Sequence, residues 1–268
     1  MTTKVSIITV CYNAGAVIER TIQSIIKQSF TNYEYIIIDG NSKDNTLPII
    51  EQYKKYVSVL VCESDNGIYD AMNKGILASS GEYLIFMNAG DEFVDSTVLE
   101  NLISVSNEIP IVHGNIIRSF NRRRIWNSGI TNNNPTIMDF LYDTFHHQSS
   151  LIKRELFVKY GLYDTRYRLC SDWKFFFDCV ILNQVKSKYV KIDVAIFSMD
   201  GASTKHKDLY LEERRQYLRS VYGEDIFNCL DELYDYRKSW LATLFKDFRI
   251  VLKKSKIIQA VRNFFLYS

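Results

Sequence analysis

Tyr35-Ile36-Ile37-Ile38-Asp39-Gly40-Asn41-Ser42 is an apolar, largely β-branched run cut off by an acid, a glycine and two small polar residues. No polar residue interrupts the run. A strand here would be covered on both faces, as in a parallel sheet flanked by helices. Working outward, the pattern recurs. Val5-Ser6-Ile7-Ile8-Thr9-Val10 precedes it, and Val57 to Cys62 and Tyr83-Leu84-Ile85-Phe86-Met87 follow it. Between these runs lie helical spacings: Val17, Ile18, Ile22, Ile25 and Ile26; a short helix with Asp44 as N-cap and Pro48 in its first turn; and Ile68 to Ala78. Strand and helix in alternation predict an α/β domain.

Past residue 110 the regularity loosens. Arg122-Arg123-Arg124 and Asn132-Asn133-Asn134-Pro135 read as exposed turns or a mobile loop. Helices resume at Lys153 to Tyr160 and from Ser171 to Leu182, and from Lys205 onward the pattern is only helical. The expected organisation is a catalytic or binding domain over 1–204 and a helical region over 205–268.

The chain has 268 residues, with 33 Lys plus Arg against 31 Asp plus Glu, 11 Gly and 3 Pro. That length supplies ample core, and the composition excludes collagen-like, low-complexity and largely disordered chains. A net charge of +2 argues against a general nucleic-acid binder. Cys11, Cys62, Cys170, Cys179 and Cys229 form no CxxC pair and no metal-ligand spacing, so a reducing cytoplasm is the expected home. The apolar run after Lys4 is too short for a signal peptide, and no stretch is long enough to span a bilayer.

In an open parallel sheet, ligands bind where strands end. Polar residues follow all four runs: Tyr12 and Asn13; Asp39, Asn41 and Ser42; Glu63, Asp65 and Asn66; Asn88 and Asp91. Neither GxGxxG nor GxxxxGK[ST] is present, which weakens dinucleotide chemistry and P-loop hydrolysis.

Val5-Ser6-Ile7-Ile8-Thr9-Val10-Cys11-Tyr12-Asn13, Ile38-Asp39-Gly40-Asn41-Ser42-Lys43-Asp44 and Asp65-Asn66-Gly67-Ile68-Tyr69-Asp70-Ala71-Met72-Asn73-Lys74-Gly75 resemble the family 2 glycosyltransferases of GT-A fold. His147-Gln148-Ser149-Ser150, Lys159-Tyr160-Gly161-Leu162-Tyr163-Asp164 and Ser171-Asp172-Trp173-Lys174-Phe175-Phe176 continue the resemblance in order, over roughly residues 4 to 204. It implies inverting transfer of a sugar from a nucleotide diphosphate donor, UDP-sugars favoured, to a hydroxyl. The poor diphosphate leaving group calls for a divalent cation, Mg2+ or Mn2+, and the acceptor for a general base.

Carried over on the resemblance, Tyr12, Asn13 and Asp39 hold the nucleoside, and Asp39 accepts from the base ring. The alternative for Asp39 is a carboxylate closing its own turn. Asp65 and Asn73 lie near ribose and diphosphate, or serve as a helix cap and a helix face. Asp172 is the general base, its pKa raised by the aromatic helix around it, with Ser171 the better cap; Trp173 is either core or a sugar platform. His147 contacts diphosphate or acceptor, and Ser198 to Thr204 resembles a loop closing over the donor. The metal motif departs from the family's Asp-x-Asp: Asn88-Ala89-Gly90-Asp91 leaves Asp91 as the one carboxylate and Asn88 as a neutral oxygen donor. Asp91 with Glu92 reads alternatively as a helix cap. The thinned motif keeps a rival reading open, a noncatalytic module that binds nucleotide-sugar or glycan.

Residues 237–268 carry eight basic residues and one acid, Asp247, so +7 locally and −5 on the remainder of a +2 chain. Trp240, Leu241, Leu244, Phe245, Phe248, Val251 and Leu252 recur at helical spacing. Such a tail either lies on an anionic membrane surface or packs on the domain. The expected setting is the cytoplasm, peripheral on the cytoplasmic face of the plasma membrane. There a glycan or lipid-linked acceptor of envelope synthesis would be met, and no nucleic acid.

Overall fold

The computed structural model describes residues 4–120, 123–198 and 206–253. Strands β1 (Val5–Cys11), β2 (Tyr33–Asp39), β3 (Val59–Cys62) and β4 (Tyr83–Phe86) coincide with the four apolar runs. They pair in parallel in the order β3-β2-β1-β4. Helices α1 (Ile18–Ile26), α2 (Thr46–Gln52) and α3 (Ile68–Ala78) connect them.

Alternation divides the buried side chains between two faces. Ile7, Tyr35, Ile37 and Ile85 share a core with Ile18, Ile22 and Ile25 of α1. Each such aliphatic side chain, fully removed from water, stabilises the fold by about 1.5–3 kcal/mol. The opposite face meets α3 at Gly75. A Cβ there would collide with Ile8 Cγ2, so glycine sets how closely the helix approaches the sheet.

Beyond β4 the sheet continues through antiparallel β8 (Ser150–Lys153), then β6 (Ile111–Phe120), parallel β9 (Ser187–Ser198) and short β5 (Glu92–Phe93). β7 (Arg123–Asn127) pairs with β6, so residues read as part of a loop form an edge strand. Arg122 itself falls outside the described residues. Helix α4 (Val98–Ser106) joins the α1 side of the core, through Val98, Leu99 and Leu102. An aromatic layer covers the other side, built from α5 (Ile137–Tyr142), α6 (Glu155–Tyr160) and α7 (Ser171–Phe177). Phe157 stacks on Phe175 with centroids 4.2 Å apart, and Phe145 meets Phe176 edge-on at 5.4 Å. A π-helical turn (Asp178–Leu182) follows α7.

The final described element, α8 (Lys207–Lys253), is interrupted at Gly223, where φ is 76°. The chain separates into two compact units that divide between Arg215 and Gln216, so the first runs past residue 204. Within the second, Arg219 lies 4.3 Å over the Phe227 ring. The basic and apolar pattern of the tail falls partly on α8, and its continuation past Lys253 lies outside the described residues. Among the described residues no helix is long and apolar enough to cross a membrane.

Candidate active site

Register brings Cys11, Asp39 and Cys62 into one row at the carboxyl ends of β1, β2 and β3. Asp39 is fully buried. It accepts from the Ser42 N–H (2.8 Å), the Ser42 hydroxyl (2.6 Å) and the thiols of Cys11 (3.4 Å) and Cys62 (3.5 Å). The carboxylate closes its own turn. Burial, then the Asp39 charge, push the Cys11 thiol far up, so it stays protonated and donates.

Asn13, with φ 47°, laces the first two loops together: its N–H donates to Ser42 Oγ (2.8 Å), and its Oδ1 accepts from the Lys43 N–H (2.9 Å). Tyr12 stands beside it, 64 % exposed. A Cβ on Gly40 would collide with Asp65 Oδ2 and come within 3.3 Å of the Tyr12 ring. Three strand ends therefore converge on Gly40, and Tyr12 and Asp65 flank it. An aromatic plane and a carboxylate on either side of a bare backbone suit a nucleobase and a ribose diol. Asp65 Oδ1 also accepts from the Gly67 N–H at the start of α3 (3.0 Å).

The loop after β4 lies beside the end of β1, with the Ala89 N–H on Val10 O at 3.1 Å. It begins a chain of side chains that crosses four elements. Asn88 Nδ2 meets His147 Nε2 (3.2 Å), and His147 Nδ1 meets Asp172 Oδ2 (2.8 Å). Asp172 Oδ1 accepts from the Tyr69 hydroxyl of α3 (2.7 Å). The contacts are mutually consistent with the imidazole proton on Nδ1, facing the carboxylate. His147 and Asp172 keep 13 % and 14 % of their side chains open to solvent.

Burial pushes the Asp172 carboxyl up, but the hydrogen bonds from His147, from the Tyr69 hydroxyl and from the backbone N–H of Trp173 outweigh it. The net position is below the ordinary carboxylate range, contrary to the rise expected from an aromatic setting. Trp173 is likewise corrected: it is fully buried, its Nε1–H on Phe140 O (3.0 Å) and Arg214 over its ring, with no face for a sugar. Cys170, not Ser171, occupies the cap position of α7.

Asn73 is 9 % exposed, and its amide bridges to the backbone of Tyr163 (Nδ2 to O 2.8 Å, N to Oδ1 2.9 Å). It ties α3 to the loop after α6 in place of the expected ribose contact. Lys74 is committed to Glu63 at 2.9 Å. Sequence reading missed Glu213, a buried carboxylate of α8 that accepts from the N–H groups of Arg168 (2.8 Å), Leu169 (2.9 Å) and Cys170 (3.2 Å). These residues lead directly into α7, so Glu213 sets where Asp172 begins.

For a divalent cation the donors are sparse. Asp91 is buried at the end of this loop, its N–H on Asn88 O (2.9 Å). Asn88 Oδ1 is buried without a hydrogen-bond partner. An orphaned amide oxygen and one nearby carboxylate fit a cation that brings phosphate oxygens and waters with it. Among the described residues no group of three His, Cys, Asp or Glu forms a metal site. The loop over 199–204 lies outside the described residues.

Residues 6–162 match the family model described as glycosyl transferase family 2. This chain belongs to that family. A PGL/p-HBAD biosynthesis glycosyltransferase of Mycobacterium bovis BCG is 29 % identical over 205 residues, covering 73 % of this chain and 77 % of that one. Among solved structures, S. aureus TarS in complex with UDP superposes with a TM-score of 0.61 at 18 % identity, over 78 % of this chain and 70 % of that one. A mannosyltransferase from Pyrobaculum calidifontis, with GDP-Man and Mn2+, gives 0.60 at 16 % identity, over 81 % of this chain and 62 % of that one. At such identities the likeness is one of fold, and the fold is GT-A. Glycosyl transfer is the family's chemistry and this chain's.

Proposed function

We propose that this chain is an inverting glycosyltransferase that moves a sugar from a nucleotide diphosphate donor, a UDP-sugar favoured, to a hydroxyl of a glycan or lipid-linked saccharide. The observation that carries the reading is the chain Asn88–His147–Asp172–Tyr69, which joins the loop after β4 to the carboxylate at the start of α7. A leaving-group region and a base must be linked but distinct for a single displacement.

Tyr12, Asn13, Asp39 and Asp65 receive the nucleoside around Gly40. Asp91, with Asn88 Oδ1, would hold Mg2+ or Mn2+, which supplies positive charge to the departing diphosphate. The acceptor oxygen attacks the anomeric carbon from the side opposite the diphosphate. Its bond forms as the carbon–phosphate-oxygen bond breaks, and its proton passes to Asp172. One displacement inverts the centre. His147 and Tyr69 orient the Asp172 carboxylate, and its lowered pKa keeps it ionised and ready to accept across neutral pH. Asn73 acts through position, by fixing α3 to the Tyr163 loop.

The solved neighbours support a nucleotide-sugar donor: TarS has been seen with UDP-GlcNAc and the mannosyltransferase with GDP-Man and Mn2+. The mycobacterial relative supports an envelope glycolipid or polysaccharide setting. The +7 tail suits the anionic cytoplasmic face of the plasma membrane, at roughly 1 kcal/mol per basic residue near the surface.

A thermal-shift screen of UDP-, GDP-, CDP- and dTDP-sugars with Mn2+ or EDTA tests the donor and the cation together. One donor class should raise the melting temperature, and EDTA should reverse most of the rise. Asp172→Asn should then keep that rise and lose transfer by about a hundredfold or more. Full transfer in this variant would remove the base assignment.

A further inference from the structure

Trp126, on β7, is 61 % exposed, yet it does not hang free. Its indole Nε1–H donates to Asp193 Oδ2 (3.0 Å), Asp193 Oδ1 accepts from Asn115 Nδ2 (2.8 Å), and Asn115 Oδ1 accepts from the Tyr189 hydroxyl (2.8 Å). Asn115 is buried, so the series is anchored in the protein interior. A single exposed hydrophobic residue is ordinary; an exposed ring whose plane is fixed by three successive hydrogen bonds is a prepared surface.

Register places that surface. Trp126 pairs with Ile117, Ile117 with Ile196, and Ile196 with Glu92, the neighbour of Asp91. Three inter-strand spacings put the backbone of Trp126 about 14 Å from that of Glu92. On β6, Val112 and Ile116 face the α1 core, so His113, Asn115 and Ile117 face the other way. That is the side of the aromatic layer, since His113 stacks on Phe145 at 3.9 Å and Phe145 meets Phe176 of α7 edge-on. His147 and Asp172 come from the same layer.

We propose that Trp126 is a stacking platform for a pyranose ring of the acceptor saccharide, one or more sugar units away from the reacting hydroxyl. One face of a pyranose presents C–H groups with partial positive charge, which pack on the negative face of an indole. Its rim of hydroxyls needs polar partners. Asp193 retains lone pairs beyond the two bonds it accepts, and exposed Arg124 lies two residues along the same side of β7. The proposal rests on the reading that this chain glycosylates a saccharide.

The test is saturation-transfer NMR on the full chain at millimolar methyl β-D-glucopyranoside, methyl β-D-galactopyranoside, methyl α-D-mannopyranoside, methyl α-L-rhamnopyranoside and methyl N-acetyl-β-D-glucosaminide. At least one should receive saturation on its ring C–H protons. Trp126→Ala should reduce that signal at least fivefold, and Trp126→Phe should retain most of it. Trp126→Thr, well suited to an edge strand, gives the same reading if the alanine variant unfolds. An unchanged signal in the variants, or none from any of the five glycosides with the wild type, overturns the proposal. UDP and GDP thermal shifts run in parallel separate the two ideas. Their absence in the wild type would remove the donor reading, whereas a Trp126-dependent sugar signal would stand without it.

Discussion

Replacing Glu213 by glutamine changes one oxygen for an NH2 group and nothing in volume, so its effect isolates the three backbone bonds. Oε1 accepts from Arg168; Oε2 accepts from Leu169 and Cys170. A glutamine can present an acceptor to only one of these sets, and its NH2 faces the other, donor against donor. The NH2 turns to the exposed Arg168, so one hydrogen bond to a charged group is lost, worth about 1.5–3 kcal/mol, and those from Leu169 and Cys170 weaken to neutral ones. A total of about 2–4 kcal/mol follows, or roughly 4–16 °C in melting temperature for a unit of this size. The loop that moves leads into α7, so Asp172 loses its placement while Tyr12 and Asp65 keep theirs. The expected phenotype is therefore a lower melting temperature, kcat reduced at least tenfold, and donor Kd within twofold of wild type by calorimetry. A variant that melts within 2 °C of wild type at full kcat would refute the role given to Glu213.

Asn73→Ala leaves the N–H and C=O of Tyr163 buried without their partner, and urea unfolding should show a loss of about 2–5 kcal/mol at unchanged m-value. Gly40→Ala should barely alter stability, since the Asp65 carboxylate can swing away, but donor affinity by calorimetry should fall tenfold or more as the slot narrows. Burial holds His113 down at about 3, with both ring nitrogens unpartnered. Below pH 6.5 the unfolded chain takes up a proton there that the folded chain refuses, so stability falls as pH falls towards 3. Between pH 6.5 and 5 this amounts to about 2 kcal/mol, and His113→Leu should remove that share of the slope, leaving the like contribution of His146, which burial also holds down at about 3.

Why some of this was legible and some not follows from what each feature depends on. β1, β2 and β4 were readable because burial on both faces forces largely apolar runs, the edge strand β3 because its run is β-branched though Leu60 and Cys62 are exposed, and Ile68–Ala78 because its helix is bounded by glycine and serine. β7 was not: an edge strand with two exposed faces needs no apolar pattern, and its arginines resemble a loop. In the site, Asp172 and His147 could be named from their motifs. Their mutual distance could not, nor could the sign of the Asp172 pKa, which turns on two hydrogen bonds from other elements. Trp173 illustrates the converse. Its ring was a candidate platform by type alone, whereas burial by Arg214 and Phe140 decides against it. Glu213 reads in the sequence only as a charge at supportive helical spacing; its clamp left no trace, because its partners are backbone N–H groups and carry no residue identity.

That last point explains why the first compact unit runs to Arg215 and not to residue 204. Glu213 and Arg214 are adjacent on α8 and both buried. One accepts from the loop before α7; the other donates to Phe140 O at the end of α5 and lies over Trp173 of α7. Two opposite charges, each satisfied by main-chain groups of different segments, hold α5 and α7 at one spacing. His147 follows α5 and Asp172 starts α7. The distance between them, 2.8 Å from His147 Nδ1 to Asp172 Oδ2, therefore depends on residues that a purely catalytic reading would assign to a dispensable appendage. Cutting the chain after 204 would remove the clamp and leave the pair without its support, whereas cutting after 215 would spare both charges.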